Sequence, residues 1–218
     1  MKHLINKSLI ASVASAFVMG CSVALAGGMD VLVIKITPVL EGLDKPWDMN
    51  VHADGTMFYT EKCKGLSMRS PDGTVTSIYG MKGSSGYSSA GEDLFCEGQA
   101  GMMGVVADRN FDQNHRLYVA STSDKYHGSG CKTNFERCDG NIVMRLTLSE
   151  DMKSVTDRTD IVTDIQYKPF ESNQPFGGPG AHNGGRLRVG PGGYLWISGG
   201  DRHRGVCPQS PKLLCGKV

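Results

Sequence analysis

His182 and Asp201 bracket the run Gly180-Ala-His-Asn-Gly-Gly-Arg-Leu-Arg-Val-Gly-Pro-Gly-Gly-Tyr-Leu-Trp-Ile-Ser-Gly-Gly-Asp201. Short apolar segments flank a Pro-Gly-Gly turn, which predicts two antiparallel strands joined by a tight connection. A hairpin of this kind brings its outer ends together. The expected result is an imidazole beside a carboxylate, the makings of a general base and the group that orients it. Histidine suits that work because its reference pKa lies near neutrality. The bland reading is that His182 caps backbone groups and Asp201 forms a turn. His203 lies two residues past Asp201 and either reaches the same cleft or belongs to a solvated loop with Arg202 and Arg204. His52, His115 and His127 sit among turn residues and carry no assigned role.

The elements that position this hairpin belong to a repeat. Ala53–Thr60, Gln113–Ala120 and Pro191–Ser198 each place a turn before an apolar, aromatic-bearing strand. A longer loop and a second kind of strand follow, at Gly65–Arg69 and Asn141–Leu146. No segment holds a helical period over three turns, so the chain reads as all-β. Antiparallel sheet repeating at about 60–80 residues points to β-propeller blades with enlarged loops. Two to three blades are expected, which makes the chain read as the N-terminal part of a larger propeller; a small β-sandwich is the alternative. Met102-Met103, Trp47 and Trp196 read as packing between blades.

Lys2 and Lys7, the apolar run Leu9–Met19 and Ala24-Leu25-Ala26 read as a secretory signal peptide over residues 1–26, leaving a domain at 27–218. The expected location is periplasmic or secreted, with no membrane span; lipidation at Cys21 is disfavoured because Met19 fits a lipobox poorly. Cleavage after Ala26 leaves 21 basic and 22 acidic residues. A surface so near neutral argues against a nucleic-acid partner. Six cysteines remain: Cys63, Cys96, Cys131, Cys138, Cys207 and Cys215. An even count in an exported chain suggests disulfides, and 15 connectivities are open. Cys131–Cys138 and Cys207–Cys215 are the cheapest closures, with Cys63–Cys96 left over. Irregular spacing without a C-x-x-C pair argues against zinc, and no residue is assigned to a metal.

Five stretches together resemble the soluble quinoprotein sugar dehydrogenases, the glucose/sorbosone dehydrogenase family: Gly42–Met49, Asp54–Glu61, Gly98–Gly104, Gly180–Leu187 and Leu213–Val218. The resemblance runs from about Leu40 to Val218 and implies a six-bladed β-propeller. It also implies oxidation of the anomeric carbon of aldoses to a lactone, with hydride passing to pyrroloquinoline quinone (PQQ) held with calcium. His182 matches the family's base, Asp201 the aspartate bonded to it, and Gln99 a substrate-side glutamine whose amide both donates and accepts. The residues that grip the quinone and calcium are expected mostly beyond Val218. Ala181 stands where glucose-oxidising relatives can carry an acid, which leaves the preferred sugar open, and Cys215 replaces an expected glycine at a position suited to pairing with Cys207.

The sequence thus predicts a PQQ-dependent aldose dehydrogenase, inactive as a fragment alone, that hands electrons to an external acceptor. The alternative from another class is a secreted, disulfide-stabilised propeller binding module without catalysis. A lactonase-type metal propeller is least favoured, since no convergent Glu/Asp/Asn set is visible.

Overall fold

The computed structural model describes residues 34–132, 134–169 and 178–218. The signal peptide read at residues 1–26 lies outside them. Residues 34–39 form no element, and residues from Leu40 onward make one compact unit.

Three sheets succeed one another along the chain. The first contains β1 (Pro46–Val51), β2 (Met57–Glu61), β3 (Gly65–Arg69), β4 (Val75–Met81) and β5 (Ser89–Gly91) in that order. Its pairs are antiparallel except the short β4–β5 pair. The second is a meander of β6 (Val105–Ala107), β7 (Arg116–Thr122), β8 (Asp139–Leu148) and β9 (Val155–Gln166). The third is the hairpin of β10 (Gly184–Val189) and β11 (Leu195–Gly199). Helix is confined to two four-residue α-helices and short 3-10 turns among the described residues. Successive face-packed antiparallel sheets are propeller blades, and the sequence repeat corresponds to β2, β7 and β11, followed by β3 and β8.

Local chemistry explains the strand starts. Asp54 accepts the Thr56 backbone N–H at 2.8 Å, closing the turn that launches β2. Gly65 opens β3 at φ 150°, where an added Cβ would lie 2.3 Å from the Tyr79 carbonyl oxygen. Only glycine permits that approach between neighbouring strands.

Period-2 alternation then builds two apolar seams. Phe58, Leu66 and Ile78 of the first sheet meet Leu117, Val119 and Met144 of the second, with Met102 among them. Met103, Val106, Val143 and Leu187 join the second sheet to the third, with Trp47 at their margin. Both methionines therefore lie between blades, as expected. Alternation along β11 turns Leu195 and Ile197 toward this seam and Trp196 to the opposite face of the hairpin, where it is 53% exposed. The disulfides are Cys63–Cys96, Cys131–Cys138 and Cys207–Cys215, the pairing that local closure favoured.

Two polar clamps cross the seams. Arg158 on β9 grips Asp93, from the loop after β5, with two bonds at 2.6 and 2.7 Å, and also Asp160 at 2.8 Å. Burial works to raise the Asp93 carboxyl, but Arg158 and Ser123 outweigh it and hold it at about 2. A carboxyl depressed in the fold contributes stability above its unfolded value and loses it as pH falls through the folded one. Asp93→Asn is therefore expected to remove about 1–2 kcal/mol at neutral pH, with a smaller deficit on moving from pH 4 to pH 2. Urea unfolding at both pH values checks this; an unchanged difference would show that the clamp carries no linkage. In the second clamp, Asp48 of β1 pairs with Arg186 and Arg188 of β10.

Candidate active site

The β10–β11 hairpin does what its turn chemistry demands. Gly184 pairs with Gly199 across the ladder, so the residues just outside them, His182 and Asp201, meet. His182 Nδ1 lies 2.8 Å from Asp201 Oδ1. A carboxylate accepts there, so Nδ1 carries the proton and Nε2 keeps a lone pair. The hydrogen bond from His182, opposed only in part by burial, lowers the Asp201 carboxyl below its ordinary value. Asp201 Oδ1 also accepts the His203 backbone N–H at 3.0 Å.

Backbone fit holds this pair in place. His182, Arg202 and His203 all sit at positive φ, 51°, 59° and 57°, a conformation that side-chain-bearing residues adopt at a cost. A Cβ on Gly200 would fall 1.9 Å from the His182 carbonyl oxygen. The two loops can touch only because that Cβ is absent.

Arg202 is the staple. Its side chain is fully buried, with Nε donating to the Gln166 carbonyl at 2.7 Å and Nη1 to the His182 carbonyl. Burial pushes its guanidinium down to about 9, still charged at neutral pH, with Asp201 opposing the shift. The sequence left a solvated loop around Arg202 as one of two readings. Its burial is set by carbonyls 36 and 20 residues away, which leave no local signal.

Gln99 reaches the site from the loop before β6. Its Oε1 accepts the His182 backbone N–H at 3.1 Å, so the carbonyl half of its amide is spent on positioning and the NH2 group is what it offers a ligand. A cavity of about 340 Å³ opens here, lined by Trp47, Lys62, Gln99, His182 and Asn183. Lys62 donates to the Gly98 carbonyl, and burial, then Lys45, lowers its ammonium from the usual value. Asn183 is buried, and neither its Oδ1 nor its Nδ2 has a hydrogen-bond partner. His203 joins the site as well, its Nε2 lying 2.8 Å from that of His182. Thus all three residues singled out from sequence converge, and Trp47, Lys62, Arg202 and His203 are added to them.

Chemically, the cavity presents a base, an ammonium, amide donors and one flat aromatic wall. A larger apolar cleft of about 670 Å³ lies between the second and third sheets, bordered by Val143, Ile165, Trp196 and Ile197. It lacks a base. Among the described residues the metal-type cluster of three or more ligands is His127, Cys131 and Cys138, with both sulfurs engaged in a disulfide.

Residues 43–218 match the model of the family described as Glucose / Sorbosone dehydrogenase. The aldose sugar dehydrogenase YliI of Escherichia coli (strain K12) is 24% identical over 185 residues, which cover 85% of this chain and 43% of that protein. Among solved structures, the PQQ-bound form of aldose sugar dehydrogenase from Streptomyces coelicolor superposes with a TM-score of 0.61 at 18% identity, covering 83% of this chain and 45% of that one. The apo-form of the soluble aldose sugar dehydrogenase from Escherichia coli gives 0.54 at 24%, covering 80% and 43%. The chain therefore spans less than half the length of these relatives. At such identities the structural likeness speaks to the fold, which is that of part of a β-propeller.

Proposed function

This chain belongs to the glucose/sorbosone dehydrogenase family, and on that premise we propose that it supplies the base side of a PQQ-dependent aldose dehydrogenase site. The observation that carries the reading is the oriented His182–Asp201 pair opening onto the cavity beside Gln99 and Lys62.

The residues present suit the cofactor on this side. PQQ is a flat, carboxylate-bearing quinone. The Lys62 ammonium and Gln99 NH2 match its anionic edges, and Trp47 offers an aromatic wall. When bound, PQQ supplies the two-electron acceptor. Calcium takes six to eight oxygen ligands, and no residue of this chain is assigned to it. No step is assigned to it.

In the proposed reaction, an aldose lies with its anomeric hydroxyl toward His182 Nε2. That nitrogen takes the hydroxyl proton as the C1–H bond gives up its hydride, and the C–O bond becomes the lactone carbonyl. Asp201 steadies the imidazolium as it forms. The electrons then leave to an external acceptor. Export to the periplasm or beyond accords with three disulfides, which persist in oxidising compartments. No helix among the described residues is long and apolar enough to cross a membrane.

The test is a PQQ titration read by Trp47 fluorescence in a Trp196→Phe background, which leaves one tryptophan, run beside dye-linked oxidation of an aldose panel. Saturable quenching is expected, weakened roughly five- to tenfold by Lys62→Ala, the loss of about 1 kcal/mol of charge pairing. Quenching indifferent to Lys62→Ala would move the quinone out of this cavity. Dye reduction is read on a propeller completed to the length of these relatives, and quenching there without aldose-dependent dye reduction would favour the binding-module alternative.

A further inference from the structure

Three consecutive residues at and just past the end of β9 each hold a different loop of the site. The Gln166 carbonyl accepts Arg202 Nε at 2.7 Å, which fixes the loop carrying Asp201. The Lys168 carbonyl accepts the Gly180 N–H at 2.8 Å, two residues before His182. Between them, the Tyr167 hydroxyl donates to Glu97 Oε2 at 2.6 Å, two residues before Gln99. One strand end thus reaches the loops of all three residues that meet at the site. It is itself anchored to the second sheet: the Tyr167 N–H donates to the Cys138 carbonyl at 2.6 Å, and Asn141 Nδ2 donates to the Gln166 carbonyl at 2.6 Å.

Of the three bonds, the one from Tyr167 to Glu97 is made by side chains at both ends, across 70 residues of chain. The tyrosine ring is 2% exposed. It stands edge-on to Phe95 at 5.3 Å and stacks on His127 at 5.7 Å. A phenylalanine would meet those contacts equally well, so they do not account for the hydroxyl. Burying a hydroxyl costs free energy unless it is hydrogen-bonded, and Glu97 is the partner that this one finds. Burial, then the Glu97 bond, holds the phenol above its ordinary value, so at neutral pH it keeps its proton and donates.

Glu97 opens a tight turn. Its N–H donates to the Ala100 carbonyl at 3.2 Å and the Ala100 N–H donates back to its carbonyl at 2.8 Å, which leaves Gly98 and Gln99 at the tip. A turn closed by two reciprocal bonds moves as a unit, so a bond to the Glu97 side chain sets where the tip lies. At that tip Gln99 uses its carbonyl oxygen to hold the His182 N–H and keeps its NH2 for a ligand.

We propose that Tyr167 is a positioning residue for aldose binding: through Glu97 it sets the Gln99 turn, so that the Gln99 NH2 meets a sugar hydroxyl while the Gln99 carbonyl holds His182. The anchoring of the turn stands on geometry alone. The effect on sugar binding rests on the function proposed above, and the two are measured separately.

Anchoring is read by amide hydrogen exchange in the 218-residue chain, followed by nuclear magnetic resonance without substrate or cofactor. The His182 N–H reports its bond to Gln99 directly, and Gln99→Ala, which deletes the acceptor, gives the limiting rate. Tyr167→Phe keeps the ring and removes the hydroxyl. It is expected to speed exchange at His182 about 10- to 100-fold while Leu117 and Val119 of β7 exchange as before. Glu97→Ala should match it, and the double variant should be no faster. Glu97→Gln, which keeps an acceptor for the hydroxyl, should recover most of the protection. Kinetics are read on a propeller completed to the length of its relatives and loaded with PQQ. There Tyr167→Phe should raise KM for the aldose about five- to tenfold and leave kcat within about twofold, because Asp201 and Arg202 still hold the base. Unchanged exchange at His182 in both Tyr167→Phe and Glu97→Ala would overturn the proposal. So would exchange that quickens equally at Leu117 and Val119, the mark of a general stabiliser, or a fall in kcat with KM unchanged. Faster exchange at His182 with both kinetic constants unchanged would refute the sugar-binding role of Gln99 and spare the anchor.

Discussion

In a propeller completed to the length of its relatives and loaded with PQQ, Asp201→Asn is expected to lower turnover by about two to four orders of magnitude, with KM for the aldose little changed. General-base catalysis contributes about 10²–10⁴, and this variant removes the charge that makes His182 effective while leaving the loop intact. An asparagine Oδ1 still accepts the His203 N–H, the bond that holds residue 201 in register. It can even accept from His182 Nδ1, but it cannot balance the imidazolium as the hydroxyl proton arrives, and its amide can turn to donate and invert the tautomer. His182→Gln should fall at least as far. The double variant should be no worse than His182→Gln alone, because groups that act as a unit are not additive. Stopped-flow dye reduction measures all three. A fall within threefold for Asp201→Asn would reduce the pair to a loop-building contact. The pH dependence carries the same sign: Asp201 is held below its ordinary value by His182, so the pair is intact above about pH 4 and is lost as pH falls through that lowered value.

How much of this was legible in the sequence follows from how local each cause is. The hairpin was readable because its turn and alternation lie within twenty-two residues, and hairpin closure dictates which residues meet at the open end. The repeat was readable for the same reason, and the disulfides because short loops close most cheaply. Arg202 was not readable. Flanked by Asp201 and His203 in a glycine-rich loop it resembles a solvated charge, and only the carbonyls of Gln166 and His182 bury it. The placement of His203 beside His182 likewise depends on three left-handed backbone conformations that residue type does not announce. Gln99 lies beside His182, but its division of labour was not visible in the sequence: one half of its amide serves the backbone of His182.

Asp48→Ala is expected to be clearly destabilising, costing about 1–3 kcal/mol, because the carboxylate is buried and accepts a backbone N–H while its two guanidinium partners are half exposed to water. Asp48 sits on β1 with its side chain 1% exposed. Its Oδ1 pairs with Arg186, and its Oδ2 meets Arg188 at 3.2 Å and the Val105 backbone N–H at 3.3 Å. One carboxylate therefore ties the first strands of all three sheets, β1, β6 and β10. Removing it leaves two guanidinium groups to water and a backbone N–H facing an empty site, and the unpaired N–H is the costly outcome. Asp48→Asn keeps the shape and one acceptor, and should lose about half as much. The consequence reaches the site through Arg186, which also stacks 5.3 Å from the Trp47 ring that walls the cavity. Loss of the clamp should free that ring, so Asp48→Asn is expected to weaken PQQ quenching of Trp47 even under conditions where the protein remains folded. Urea denaturation and the quenching titration, run on the same samples, separate the two effects. If Asp48→Ala cost less than about 1 kcal/mol, the sheets would be held by their apolar seams alone, and the clamp would serve only to set the register of β10, on which the position of His182 depends.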